Sequence, residues 1–413
     1  MPEARSADGA VFTPLEGVRI LDVSRFLAGP YAAWILAELG ADVIKVEDVD
    51  RPDEARFVGP YFQGEQSLYF AALNSGKRSL ALRLRTEEGR AALLDVVRSV
   101  DVVLDNHKPG VMERLGLGYD ALRGVNPRIV ACSLSGFGAS GPLRERAGYD
   151  YTIQALSGVM SMTGEPDSPP GKAGISYVDH SGGLAAALAI CAALVGRSQS
   201  GTGGHVDLGL FDVQMSMLSY LAAWQLNAGF TGERTPSASH PSLVPAQNFA
   251  TQDGYVSVFV GNDAMWTRLA KALDDPFLSQ ERFQSGQARQ QARTELIAHL
   301  GRIIGTDTTR HWVDLLEEHH VPCAAVNDLH EALHEPQVSA RGLIGHATHP
   351  TYGGYEYVRG PLPRAARETA APAPLLGEHS ADVLRQAGME ESRIRALLER
   401  GIIMDTSSRE PSA

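Results

Sequence analysis

Only three cysteines, Cys132, Cys191 and Cys323, occur in 413 residues, and no two stand at CxxC spacing. That argues against a disulfide framework or a cysteine zinc site, and it fits a reducing, cytoplasmic setting. Positive charge is also short: 37 Lys and Arg face 49 Asp and Glu, for a formal net charge of −12. Such a chain has no overall field for a nucleic-acid backbone, although a few well-placed cations suffice for a phosphorylated small molecule. Long apolar runs are missing. The longest, Leu184 to Val195, is too short to span a bilayer and is expected as a core helix, so no membrane partner is expected. Met1 to Thr13 holds no apolar core of a secretory leader. Short catalytic signatures are missing too: no HExxH, no P-loop lysine motif and no GxSxG elbow. No metal and no permanently bound cofactor are expected.

What is present suits a large globular chain of two domains. Val18–Val23 and Ala41–Glu47 read as buried strands around a helix at Tyr31–Leu39, which Gly40 ends. Strand and helix patterns keep alternating to about Ser133, which predicts an open α/β sheet with helices on both faces. A large domain is expected over 10–228. The Gly-, Pro- and Ser-rich stretch 229–245 reads as a linker. A hairpin around Asp253-Gly254, followed by three helices, predicts a small α/β domain over 246–340. Residues 341–374 read as a second, extended linker, and 375–404 as a helical C-terminal segment. The last ten residues are expected to be disordered.

Two features suggest chemistry. The loop Asp22–Pro30 sits where a dinucleotide fingerprint would, but it has one glycine where that fingerprint needs three. Cations also gather near predicted strand ends: Arg51, Arg56, Lys77, Arg78, Arg85, Lys108, Arg114, Arg144 and Arg146. That placement suits an anion. The other feature is Asp179, delivered by an apolar segment just before a predicted helix. A carboxylate there can attack a thioester and expel a thiolate, or it can cap the helix, and spacing leaves both open. Gly182 and Gly183 would leave room for a thioester and offer amides to an oxyanion.

The motifs PLEGVRILD at 14–22, LAGP at 27–30, LGADVIKVE at 39–47, NSGKRS at 74–79, Pro109-Gly110, RLG at 114–116, the Asp179 segment and PLLGEH at 374–379 resemble the class III CoA-transferases, the CaiB/BaiF group that includes formyl-CoA transferase. The resemblance implies a Rossmann-like large domain with a smaller α/β domain, in an interlocked homodimer. It implies CoA transfer from an acyl-CoA co-substrate to a free carboxylic acid, through an aspartyl anhydride and an aspartyl–CoA thioester on Asp179. By the same resemblance, CoA would be held by Phe26, Leu27, Ala28, Arg51, Leu82, Arg85, Asn106, His107, Lys108, Arg114 and Arg146. The second substrate would meet Tyr149, His240, Gln247 and Asn262. Members often carry arginine after the acid that ends the second strand. This chain has Asp48 there, with Arg51 or Arg56 as substitutes. The glycine run of the formyl-CoA transferases is absent near His240, which points away from oxalate and formate and toward dicarboxylates such as succinate or glutarate.

Two rivals remain. The related α-methylacyl-CoA racemases place histidine where this chain has Tyr149, and tyrosine is a poor base at neutral pH. A non-catalytic CoA or nucleotide binder would have no use for Asp179.

Overall fold

A computed structural model describes residues 13–362 and 371–407. Most of the last ten residues, the start of the expected large domain and part of the stretch 341–374 lie outside those described.

The βα alternation builds a seven-stranded sheet. Its strands are β1 (Arg19–Asp22), β2 (Asp42–Asp48), β3 (Arg78–Leu82), β4 (Val102–Asp105), β5 (Val130–Ser135), β6 (Gly204–Gly209) and, far along the chain, Ile403–Met404. The order is Ile403–Met404, β3, β2, β1, β4, β5, β6. All neighbours run parallel except the last strand, which pairs antiparallel with β3.

Strand side chains alternate between two cores, as the period of two requires. Ile20, Val43, Val102, Leu104, Val130 and Cys132 enter one core, with helix α1 (Ala28–Glu38) and helix α3 (Tyr177–Ser200). Leu21, Ile44, Val103 and Ala131 enter the other, with helix α2 (Glu87–Val97) and the C-terminal helices Ser380–Gln386 and Glu391–Glu399. Thr86 caps α2, its hydroxyl accepting the Gly89 N–H at 3.1 Å. Cys132 is fully buried, and burial pushes its thiol up to about 12, which leaves it unreactive.

Two compact units emerge. Of the described residues, the first takes 13–157, 174–219, 336–362 and 371–407, and the second takes 158–173 and 220–335. In the second, strands β7 (Ala246–Ala250), β8 (Tyr255–Phe259) and β9 (Cys323–Ala325) form an antiparallel sheet in the order β9–β8–β7. Three helices cover it around Trp266, Phe283, Leu296, Leu300 and Leu316. Gly158–Ala173 joins this unit although it precedes α3, which local composition does not reveal.

Three expectations fail locally. Residues 341–374 are not simply extended: β10 (Ile344–His349) and β11 (Gly353–Val358) form a hairpin whose Ala347, Tyr355 and Tyr357 enter the first core. Its glycines mark the turn, where Gly353 has φ +87. The apolar stretch Phe211–Asn227, which reads in sequence as one long helix, is two helices, Leu210–Met217 and Ser219–Ala228, broken where Ser219 turns to φ +43. Helix α3 is only partly a core helix. It is long and apolar enough to cross a membrane, yet only 33% of its most apolar window is buried. Leu184, Leu188 and Val195 stand exposed along it.

Candidate active site

The sheet order reverses at β1 and β4. Chains leaving the carboxyl ends of these strands depart in opposite directions, which opens a crevice. A cavity of about 200 Å³ occupies it. Its walls come from Arg25–Ala28 after β1, Asn106–Pro109 after β4, Leu134–Gly136 at the end of β5, the loop Arg146–Tyr149, and Asp179 with Leu210. A second cavity of about 320 Å³ adjoins it and shares Arg25 and His107. Glu47, Asp48, Arg51, Leu84, Arg85, Val111 and Arg114 are among its walls.

Asp179 reaches its cavity because α3 begins earlier than its sequence suggests. Ser176 is the N-cap, and Asp179 sits in the first turn rather than before the helix. The capping expectation therefore falls on another residue. Asp150 is buried and accepts the Val178 N–H at 3.0 Å, while Gln154 donates to its other oxygen at 2.8 Å. A carboxylate in a first turn is stabilised by the unpaired amides and dipole there.

Gly182 and Gly183 are not oxyanion donors. They lie inside α3, and a Cβ on Gly182 would overlap Leu210, while one on Gly183 would overlap the Ala28 carbonyl and Tyr31. They let α3 approach Leu210 and α1. Gly183 lies one turn beyond Asp179, on the same face. That contact brings Asp179 beside the first turn of α1. Tyr69, which sequence reasoning missed, is pushed up to about 12 by burial and then by the negative charges of Asp179 and Asp53.

Charge in the two cavities divides into paired and available groups. Arg25 is engaged by Glu54 at 2.7 Å and by the Pro52 carbonyl at 2.8 Å. Arg56 is withdrawn: it is buried, binds Glu47 at 2.6 Å and donates to the Pro374 carbonyl at 3.0 Å. It is therefore no substitute for the missing arginine. Lys77 is fully buried against Asp22 at 2.8 Å and is no anion site either. Arg51, Arg85 and Arg114 in one cavity, and Lys108 and Arg146 in the other, form no ion pair among the described residues. Asp48 has a backbone task, accepting the Asp50, Arg51 and Leu84 amides at 2.9, 3.1 and 3.0 Å. Burial, helped by Arg25, lowers the His107 pKa, so its imidazole is neutral at pH 7.

The structure thus gathers Phe26, Leu27, Ala28, Asn106, His107, Lys108, Arg146, Tyr149 and Asp179 at one cavity and Arg51, Arg85, His107 and Arg114 at the next. Leu82 is corrected. Its side chain is fully buried in the core under β3, and Leu84, two residues on, forms the wall. His240, Gln247 and Asn262 belong to the second unit. There His240 organises a turn, its Nδ1 accepting the Ser242 and Leu243 amides at 3.1 and 3.2 Å. Gln247 is buried in β7, and Asn262 caps the helix Asp263–Leu273 through the Met265 N–H at 3.0 Å. Sequence reasoning also missed Arg25 and Leu134–Gly136. Their signal was position: both follow from strands that end at the crevice.

Asp105 closes β4 directly below this wall. It accepts the Ser133 hydroxyl at 2.8 Å and the His107 N–H at 3.0 Å. Burial still raises its pKa to about 6, more than these hydrogen bonds lower it. Between about pH 4 and 6 the folded chain holds a proton that the unfolded chain releases, so stability falls as pH rises through that window. At pH 7 the cost is on the order of 3 kcal/mol. Asp105→Asn is expected to raise the thermal midpoint at pH 7. Differential scanning calorimetry should show the gain vanish by about pH 4, and a gain that ignored pH would contradict this account.

Fold and cavities together define an α/β protein with a two-part crevice whose walls carry several cations and that ends on a carboxylate. The family described as CoA-transferase family III matches residues 15–380. The chain is 39% identical over 387 residues to the succinate–glutarate CoA-transferase of Agrobacterium fabrum, covering 90% of this chain and 95% of that protein. It is 36% identical over 395 residues to the human succinyl-CoA:glutarate CoA-transferase, covering 94% and 90%. A solved CAIB/BAIF family protein from Brucella suis superposes with a TM-score of 0.78 at 36% identity, covering 91% of this chain and 99% of that one. The chain belongs to CoA-transferase family III, and it moves CoA from an acyl-CoA thioester to a carboxylic acid.

Proposed function

We propose that the chain exchanges CoA between succinyl-CoA and a short dicarboxylic acid such as glutarate, with Asp179 as covalent carrier. The observation that carries this reading is the half-buried Asp179 carboxylate in a cavity that also presents Lys108 and Arg146, cations with no ion pair among the described residues. The names of two relatives agree with it: succinyl-CoA and glutarate for the human protein, succinate and glutarate for the Agrobacterium one.

In this reading the adjoining cavity takes the nucleotide end of CoA, with Arg51, Arg85 and Arg114 near its phosphates. Arg51 then stands in for the arginine that Asp48 replaces. The thioester end runs past His107 to Asp179. One Asp179 oxygen attacks the acyl carbonyl, the C–S bond breaks, and CoA leaves as thiolate with an acyl–aspartyl anhydride behind. The amide of Ala28, a cavity-wall residue in the first turn of α1, has no partner inside the helix and in this reading stabilises the developing negative charge. The thiolate then attacks the aspartyl carbonyl, the C–O bond breaks, and the donor acid departs. The acceptor carboxylate reverses both steps. Electrons and protons balance without an oxidant.

A second copy of the chain is placed on the exposed apolar face of α3, since apolar area of that kind marks an interaction surface. The test of function is a panel: succinyl-CoA and acetyl-CoA as donors against succinate, glutarate, oxalate, formate and acetate, with products read by mass spectrometry. Succinyl-CoA with glutarate is expected to exceed any monocarboxylate pair at least about tenfold in kcat/KM, because the far carboxylate gains a charge-assisted contact. No exchange with any pair would overturn the reading.

A further inference from the structure

We propose that Asp53 is a positioning residue for acyl-CoA: it fixes the left-handed backbone at Phe26 and so shapes the cavity wall that faces Asp179. The proposal rests on reading the two cavities as the acyl-CoA site.

Phe26 has φ +62, a region that bulky side chains rarely adopt. It sits in the short connection between β1 and α1, lines the cavity with Asp179, and is 39% exposed. Nothing in its own chemistry favours that twist. Its neighbours impose it. Lys45 Nζ, from the middle of β2, donates to the Ser24 carbonyl. Asn106, just after β4, accepts the Arg25 N–H at 2.8 Å and donates to the Arg25 carbonyl at 2.7 Å. Asp53 accepts the Phe26 N–H at 3.0 Å. Three successive residues are thus held by side chains of the two strands that flank β1 and of the segments that follow them: Lys45 in β2, Asp53 after it, and Asn106 after β4.

Asp53 is built into the frame that holds it. Its side chain is wholly buried, and Oδ2 meets Lys45 Nζ at 2.8 Å. Its own N–H donates to Glu47 at 3.1 Å, and Glu47 is held in turn by Arg56. Lys45 therefore touches both ends of the clamp, Ser24 and Asp53. The plain alternative is a helix cap, because Asp53 Oδ1 also accepts the Ala55 N–H at 3.0 Å at the start of a short 3-10 turn. A cap has no need of the Phe26 amide, 27 residues away in sequence, nor of a buried lysine. Without Asp53, Phe26 is free to return to negative φ, which swings its ring and the amide that follows it off the cavity wall. Asp179 lies on another element and keeps its place.

The test is a double-mutant cycle read by CoA binding. Calorimetric titration with CoA itself would compare the wild-type chain, Asp53→Ala, Phe26→Gly and the double variant, with circular dichroism and urea midpoints to confirm folding. Asp53→Ala is expected to weaken CoA binding about tenfold or more. In the Phe26→Gly background the same change is expected to cost less than about threefold, because glycine adopts positive φ without a clamp. In turnover, KM for acyl-CoA should rise with Kd while kcat falls less. If Asp53→Ala does not fold, Asp53→Leu with Lys45→Met removes the acceptor and the buried counter-charge together, at similar volume, and carries the same cycle. An Asp53 variant that binds CoA within twofold of wild type, or that loses equally in both backgrounds, overturns the proposal. A wild-type chain that binds no CoA overturns it together with the acyl-CoA reading, whereas CoA binding that ignores Asp53 sinks the proposal alone.

Discussion

Asp179→Ala is expected to lower kcat for CoA exchange by at least about a thousandfold, with CoA affinity little changed. Removing a covalent carrier takes away both half-reactions at once, and losses of that order or larger follow when a nucleophile is deleted. Asp179→Glu is the sharper variant. It keeps the charge and the helix-terminal stabilisation but moves the oxygens about one ångström toward the thioester, and misplacement on that scale costs about a hundredfold. Trapping separates chemistry from binding. Wild-type chain incubated with succinyl-CoA and hydroxylamine should carry a hydroxamate at Asp179, found by peptide mass spectrometry, and neither variant of the pair should accumulate it at the wild-type rate. Asp179→Ala that turned over at even a few per cent of wild type would remove the covalent mechanism, although not the family. The hydrogen bond from Val178 to Asp150 makes this test clean, because the start of α3 is held by a residue other than the one replaced.

Lys77→Ala is expected to have the largest effect on stability, about 3–5 kcal/mol. Lys77 and Asp22 are both wholly buried, and the ammonium also donates to the Pro30 carbonyl at 2.9 Å and to Asn74 at 2.9 Å. Burial by itself would raise the Asp22 carboxyl. Lys77 and Lys45 outweigh it and hold the pKa below the ordinary value. Lys77 moves the other way, burial taking it down to about 8 against the pull of Asp22. We take the pair as ionised at pH 7, since both directions permit it.

The Asp22 contribution is present above about pH 4 and is lost as pH falls through the lower folded value. Deleting Lys77 leaves Asp22 in the core without its hydrogen-bonded counter-ion, which is why one-sided removal costs more than the pair contributes. Urea unfolding followed by circular dichroism would measure the loss, and Lys77→Met with Asp22→Asn should recover a good part of it. A Lys77→Ala chain within about 1 kcal/mol of wild type would show that the buried charges do not hold this region together.

Lys77 also shows where reading along the chain stops. In sequence it was one of nine cations near strand ends, all plausible anion ligands by type and place. The structure sorts them by what else arrives. Asp22 comes from β1 and claims Lys77, and Glu47 claims Arg56. Arg51, Arg85 and Arg114 meet no carboxylate among the described residues and stay on the cavity wall. Such pairings join positions up to 55 residues apart, and no spacing rule reaches them. The same holds at Asp179. The carboxylate was legible, but the residue that starts its helix was not, since Ser176 and Asp179 both suit a cap and Asp150, 28 residues before Val178, decides between them.

The sequence by itself determined the alternating elements, the parallel sheet and the family motifs, because strand and helix periods, turn glycines and short motifs are local properties of neighbouring residues. It also singled out Asp179. Tertiary structure alone decided which groups share the crevice and which are spent elsewhere. Leu82 went to the core and Leu84 to the wall, Gly182 and Gly183 became packing contacts, and Phe26 took a twist that only Asp53, Asn106 and Lys45 explain. The physical reason is common to all of these. Burial and hydrogen bonding depend on groups brought together by strand order, and strand order places next to each other segments that lie far apart along the chain.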